Sequence, residues 1–108
     1  MVSQGDIVIV DFDPSLGSEQ KGKRPGLVIS NNVYHKNTNG FAIVVPITNA
    51  KTINYPLHIK LDDRTKTYGE IMCEQLKTMD TKVRNLKVVE KLPDDILENV
   101  LKIVKLLF

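Results

Sequence analysis

The residues best suited to chemistry lie in one short stretch, Gly17-Ser18-Glu19-Gln20-Lys21-Gly22-Lys23-Arg24-Pro25. A connection that only reverses the chain needs turn-forming residues. It does not need an acid, an amide and three cations packed together, and such density on a loop points to a bound partner. Arg24 is the group best suited to a phosphate, because its planar guanidinium is always charged and offers paired donors to two oxygens. Read alone, pairing with an acid such as Glu19 is the commoner use of such a cation. Thr48 is the second candidate. It follows a strongly apolar run, so its hydroxyl falls where a strand ends and can donate to a phosphate oxygen; capping a turn is otherwise the commoner role there. Glu19 can take a proton, orient Arg24, or simply pin the loop.

These residues need strands to hold them. Asp6 to Phe12 is a β-branched apolar run bounded by Gly5 and Asp13-Pro14, which predicts a short buried strand. Pro25 opens a second run, Gly26 to Ser30; proline fits the start of a strand but not its middle. Asn31 to Gly40 reads as an irregular connection with a single helical turn capped by Asn31 or Asn32, and His35 within it as solvated. Phe41 to Ile47 is the strongest strand, Tyr55 to Leu61 alternates, and Glu70 to Leu76 and Leu86 to Leu92 supply further strands. In the alternating segment His58 falls on the polar face and reads as a surface residue. Thr81 to Asn85 suggests one helical turn. From Pro93 on, Ile96, Leu97, Val100, Leu101, Val104, Leu107 and Phe108 form a helical apolar stripe, with Asp94 and Asp95 placed where the helix dipole favours acids.

The order is therefore five to seven short, mainly antiparallel strands followed by one amphipathic helix, in a single domain spanning 1–108. That is a mainly β chain, and it predicts a small SH3-like barrel with the helix over one side. With 108 residues, 42% of them hydrophobic, the chain can bury one modest core. A formal net charge of +2 does not by itself argue for a polyanionic partner. The N-terminal residues lack a basic segment followed by an apolar core, and no apolar run reaches about 18 residues, so neither a signal peptide nor a membrane span is expected and the location is cytoplasmic. Cys73 has no partner cysteine and reads as a small buried side chain. No His or acid cluster has metal-ligand spacing, so no metal or other cofactor is expected.

The chain resembles the MazF/PemK/Kid toxins throughout its length. The resemblance is carried by Gly5-Asp6-Ile7-Val8, Asp11-Phe12-Asp13-Pro14, Gly17-Ser18-Glu19-Gln20, Arg24-Pro25, Val45-Pro46-Ile47-Thr48, Pro56-Leu57-His58 and Cys73-Glu74-Gln75-Leu76-Lys77-Thr78-Met79-Asp80, in the family's order and spacing. It implies an SH3-like barrel homodimer and a sequence-specific, ribosome-independent, metal-free endoribonuclease, inhibited by a cognate antitoxin with an acidic tail. It also reverses the balance for Arg24 and Thr48, which match the family's catalytic pair. The Kid branch uses a loop His with a later Arg and Asp. The matching positions here hold Ser18, Met72 and Glu74, so the resemblance implies the Arg24/Thr48 type of site.

Substrate contacts follow from the same stretch. Ser18, Gln20, Lys21, Lys23, Lys51 and Lys77 are candidates to hold single-stranded RNA, the lysines at phosphates. Tyr55 is a candidate to stack a base, and Gln75 and Thr78 to read base edges. Each has a plainer alternative as a solvated charge or a local hydrogen bond. Two other readings are a non-catalytic toxin of the same fold that acts by protein contact, as a gyrase poison does, and an SH3-like module for proline-rich peptides. Neither gives the Arg24 and Thr48 pair a use.

Overall fold

The computed structural model describes residues 1–12, 23–49 and 55–108. Among the described residues seven strands and three helices follow one another: β1 Asp6–Asp11, β2 Lys23–Val28, α1 Asn32–Asn37, β3 Phe41–Thr48, β4 His58–Lys60, β5 Glu70–Met72, β6 Lys77–Asp80, α2 Thr81–Arg84, β7 Lys87–Lys91 and α3 Asp94–Leu106. The strands form one antiparallel sheet in the order β4-β5-β3-β2-β1-β7, and β6 also pairs with β3. Among the described residues no ladder joins β4 to β7, so the barrel-like sheet is not closed. β3 is the organising strand. One edge pairs with β2, while the other is divided: Phe41 to Val44 against β6, Ile47 and Thr48 against β5.

Both faces of the central strands are buried, which is why β1 and β3 read as nearly continuous apolar runs. Alternation sends Ile7, Leu27, Val45 and Ile47 to one face, where Ile96 and Val100 of α3 cover them. Val8, Val10, Val28, Ala42 and Val44 go to the other, packed with Phe12, Met79 and Val2. The α3 helix begins after Pro93, carries Asp94 and Asp95 in its first turn, and leaves Leu106, Leu107 and Phe108 exposed at its end.

Three expectations are corrected. Pro25 does not begin β2 but is its third residue, opposite Ile9 of β1. The ladder from β2 to β3 starts only at Gly26, so β2 is still an edge on that side, where a residue without an N–H is tolerated. His35 is buried, not solvated, and its Nε2 lies 2.6 Å from Ser30 Oγ. The helical turn around it is longer than expected and is capped by Asn31, whose side chain accepts from the amide of Tyr34. His58 is also buried, for a reason that belongs to the site.

Candidate active site

The β2–β3 ladder pairs Gly26 with Pro46, Leu27 with Val45 and Val28 with Val44. The ladder ends at Gly26 and Pro46; Arg24 and Thr48 each lie two residues beyond it, on one face of the sheet. Thr48 is in turn paired with Glu70 of β5. Directly opposed residues of antiparallel strands share a face. Arg24, Thr48 and Glu70 thus form a row across three strands, on the face turned away from α3.

At the end of this row opens a cleft of about 320 Å³, lined by Lys23, Arg24 and Pro25 from the start of β2, Ile47 and Asn49 at the end of β3, and Thr67 and Tyr68 leading into β5. Arg24 is partly buried, whereas Thr48 is only 4% exposed. The close meeting of β3 and β5 depends on Gly69, which has a φ of +126° and lies against the Thr48 carbonyl; a Cβ there would collide with that oxygen. Lys23 also lines a neighbouring groove of about 610 Å³ with Asp11, Arg84 and Lys87. Arg84 donates to the Asp11 carbonyl at 3.0 Å.

Behind the row lies a buried polar cluster. His58 Nδ1 is 3.1 Å from Glu70 Oε1, and its Nε2 is 3.2 Å from Glu74 Oε2. The His58 and Glu70 side chains are 6% and 7% exposed, and that of Glu74 is 22% exposed. This corrects the surface reading of His58: the face polar in sequence is covered by polar partners rather than by water. A neutral imidazole has one N–H to offer two carboxylates, so both contacts are hydrogen bonds only when a further proton is held in the cluster. Tyr55 lies on the His58 ring, with centroids 4.1 Å apart and planes 31° apart. Cys73 is buried nearby as expected. Desolvation first, then the charge of Glu74, push its thiol up to about 11, so it is inert at neutral pH.

Of the residues singled out in the sequence, Arg24 and Thr48 are brought together, with Lys23 beside them. Gln75 sits in the turn between β5 and β6, its Oε1 buried without a hydrogen bond among the described residues. Lys77 and Thr78 lie on β6 opposite Val44 and Ile43. That is four or five residues back along β3 from Thr48, or roughly 13–17 Å. Ser18, Glu19, Gln20, Lys21 and Lys51 fall outside the described residues. Sequence reasoning missed Asn49, Thr67 and Tyr68, because Asp62 to Thr67 reads only as a polar turn and Thr48 to Lys51 only as the exit from a strand.

Comparison with known proteins points one way. A family model described as PemK-like, MazF-like toxin of type II toxin–antitoxin system matches residues 3–108. The chain is 33% identical over 105 residues to the endoribonuclease PemK of Escherichia coli, covering 93% of this chain and 77% of that protein. It is 35% identical over 106 residues to the endoribonuclease EndoA of Bacillus subtilis, covering 93% and 88%. Among solved structures it is similar to MazF from Deinococcus radiodurans, with a TM-score of 0.88 and 26% identity over 98% of this chain and 94% of that one.

Proposed function

Because this chain belongs to the PemK-like, MazF-like toxins of type II toxin–antitoxin systems, we infer that it is an endoribonuclease toxin that cuts single-stranded RNA at a short sequence. The observation that carries its site is Arg24 lining one cleft with Ile47 and Asn49, the two neighbours of Thr48 on β3. The 2′-oxygen attacks the adjacent phosphorus and the bond from phosphorus to the 5′-oxygen breaks. The 2′ proton passes to a base, and the departing oxygen takes up a proton. The products are a 2′,3′-cyclic phosphate and a 5′-hydroxyl, and no oxidant, metal or cofactor is consumed. Arg24 neutralises the charge that builds on the phosphoryl oxygens, where fixed donors act most strongly. Thr48 donates its hydroxyl to the same group from the buried side of the row. Glu19 takes the 2′ proton. Lys23 holds a neighbouring phosphate, and the groove with Arg84 and Lys87 offers the backbone a continuation.

The protein acts in the cytoplasm, where its RNA is, as a homodimer. None of the helices among the described residues is long and apolar enough to cross a membrane. An antitoxin with an acidic tail competes with RNA for the cations Lys21, Lys23 and Arg24.

The test is incubation with a long RNA in EDTA and mapping of both ends. We expect cuts at one short motif with cyclic phosphate and 5′-hydroxyl ends. Arg24→Ala and Thr48→Ala should each lower the rate by about 100- to 1000-fold with the fold retained. Uncut RNA at high protein concentration overturns the reading.

A further inference from the structure

We propose that Tyr68 is the platform on which a nucleobase stacks beside the phosphate held by Arg24. The proposal rests on the ribonuclease reading and adds a substrate-binding residue to it.

Tyr68 is 73% exposed, yet the main chain is held on both sides of it. On its C-terminal side, Gly69 is pressed against the Thr48 carbonyl, and the Gly69 carbonyl accepts from the amide of Leu61 at 2.9 Å. On its N-terminal side, the Glu90 carboxylate of β7 accepts from the amide of Lys66 at 3.0 Å and from the amide and hydroxyl of Thr67, both at 2.7 Å. A large ring is thus held out from a fixed main chain, into the lining of the Arg24 cleft. It serves no core, and among the described residues it stacks on no other ring.

A braced, solvated aromatic beside a cation is what a single-stranded nucleic acid needs. The guanidinium holds the phosphate, and the ring takes the face of the adjoining base, which every base possesses. Tyr55 is a poorer platform. It is 44% exposed, and one face of its ring already lies on His58. Glu90 enters as a positioning residue: it touches no substrate and sets the Lys66-Thr67 backbone from which Tyr68 projects.

The experiment measures cleavage of an RNA oligonucleotide carrying the mapped motif, and of a series in which one nucleotide at a time is an abasic ribonucleotide with its 2′-hydroxyl retained. We expect Tyr68→Ala to raise KM by about 5- to 100-fold with kcat little changed, and Tyr68→Phe to behave as the native protein. The native enzyme should lose a similar factor when the abasic position is the one that stacks, and Tyr68→Ala should be indifferent at that position. Glu90→Gln should raise KM by a smaller factor, and Tyr68→Phe combined with it should add nothing. Equal KM for native and Tyr68→Ala, or equal abasic sensitivity in both, overturns the stack while leaving the ribonuclease intact. If the native protein cuts no RNA, the ribonuclease reading fails and the stack with it.

Discussion

The short hairpin of β4 and β5 is held by two sets of charged contacts that differ in one respect. On its inner side His58 lies between Glu70 and Glu74, almost wholly shielded from water. At its turn Arg64 makes paired bonds to the carboxylates of Asp62 and Asp95, and all three side chains are 45–66% exposed. By geometry alone the outer set is the better: five guanidinium bonds of 2.8–3.1 Å against two ring contacts of 3.1 and 3.2 Å. Burial reverses that order. Water competes for every bond of the outer set, and holding three long side chains still offsets much of the gain. In the inner set little water can replace a lost partner, so removal of His58 takes one contact from each of two largely shielded acids. Bond count therefore misjudges what fixes the hairpin, and the hairpin carries Tyr68 and, two residues on, Glu70 beside Thr48.

The largest effect on stability should come from His58→Ala. It removes the imidazole that lies between Glu70 and Glu74 and should cost about 3 kcal/mol, read as a shift of the urea midpoint at constant slope. Cleavage should fall with it, because Glu70 is the cross-strand neighbour of Thr48. The double change of Glu70 and Glu74 to Gln on top of His58→Ala should recover part of the loss. A single His58→Ala protein within about 0.5 kcal/mol of native would show that the cluster holds nothing.

An intermediate effect should come from Glu90, which is partly buried and joins β7 to the turn before Tyr68. Burial acts to raise its carboxyl, but the Thr67 hydroxyl and the amides of Lys66 and Thr67 outweigh it and hold the group below the ordinary Glu range. A carboxylate lowered in the folded state adds stability that is present above its unfolded value and lost as pH falls through the folded one. We expect Glu90→Gln to cost about 1 kcal/mol at neutral pH and to narrow its gap from native as the pH drops below about 4. A gap that stays constant down to that pH would remove the charge from the account.

The same contrast explains what the sequence disclosed. Strands buried on both faces announce themselves, as in Ile7-Val8-Ile9-Val10 and Phe41 to Ile47, and so does the stripe of α3. Arg24 was legible only as a candidate, since a loop cation more commonly pairs with an acid, and it was the family motifs that implied roles for both Arg24 and Thr48. The buried cluster was not legible. A histidine alternating with apolar residues has the same pattern whether water or two glutamates lie against it, and only the register that sets His58 opposite Met72 brings Glu70 and Glu74 to its ring. Tyr68 was missed for the opposite reason. Its neighbours spell a polar turn, and the braces that make it rigid come from Glu90, 22 or more residues away in sequence.

The smallest effect should come from Arg64→Ala, and it is the sharpest test of the comparison. Hydrogen bonds from Arg64, with its charge adding to them, hold the Asp62 and Asp95 carboxyls below the ordinary Asp range, and the two acids raise the guanidinium in return. The sign again puts any stabilisation above the unfolded Asp value, to be lost as pH falls through the lowered one. All three groups face solvent, so that linkage is heavily screened. The melting temperature should fall less for Arg64→Ala than for Glu90→Gln, and the deficit should vanish in about 1 M salt, where charges interact over only about 3 Å. The His58→Ala deficit should survive that salt, because ions do not enter the cluster. If Arg64→Ala instead proved as damaging as His58→Ala and as indifferent to salt, burial would not be the controlling variable. The turn at Asp62 to Thr67, rather than the inner cluster, would then be what holds β5 against Thr48.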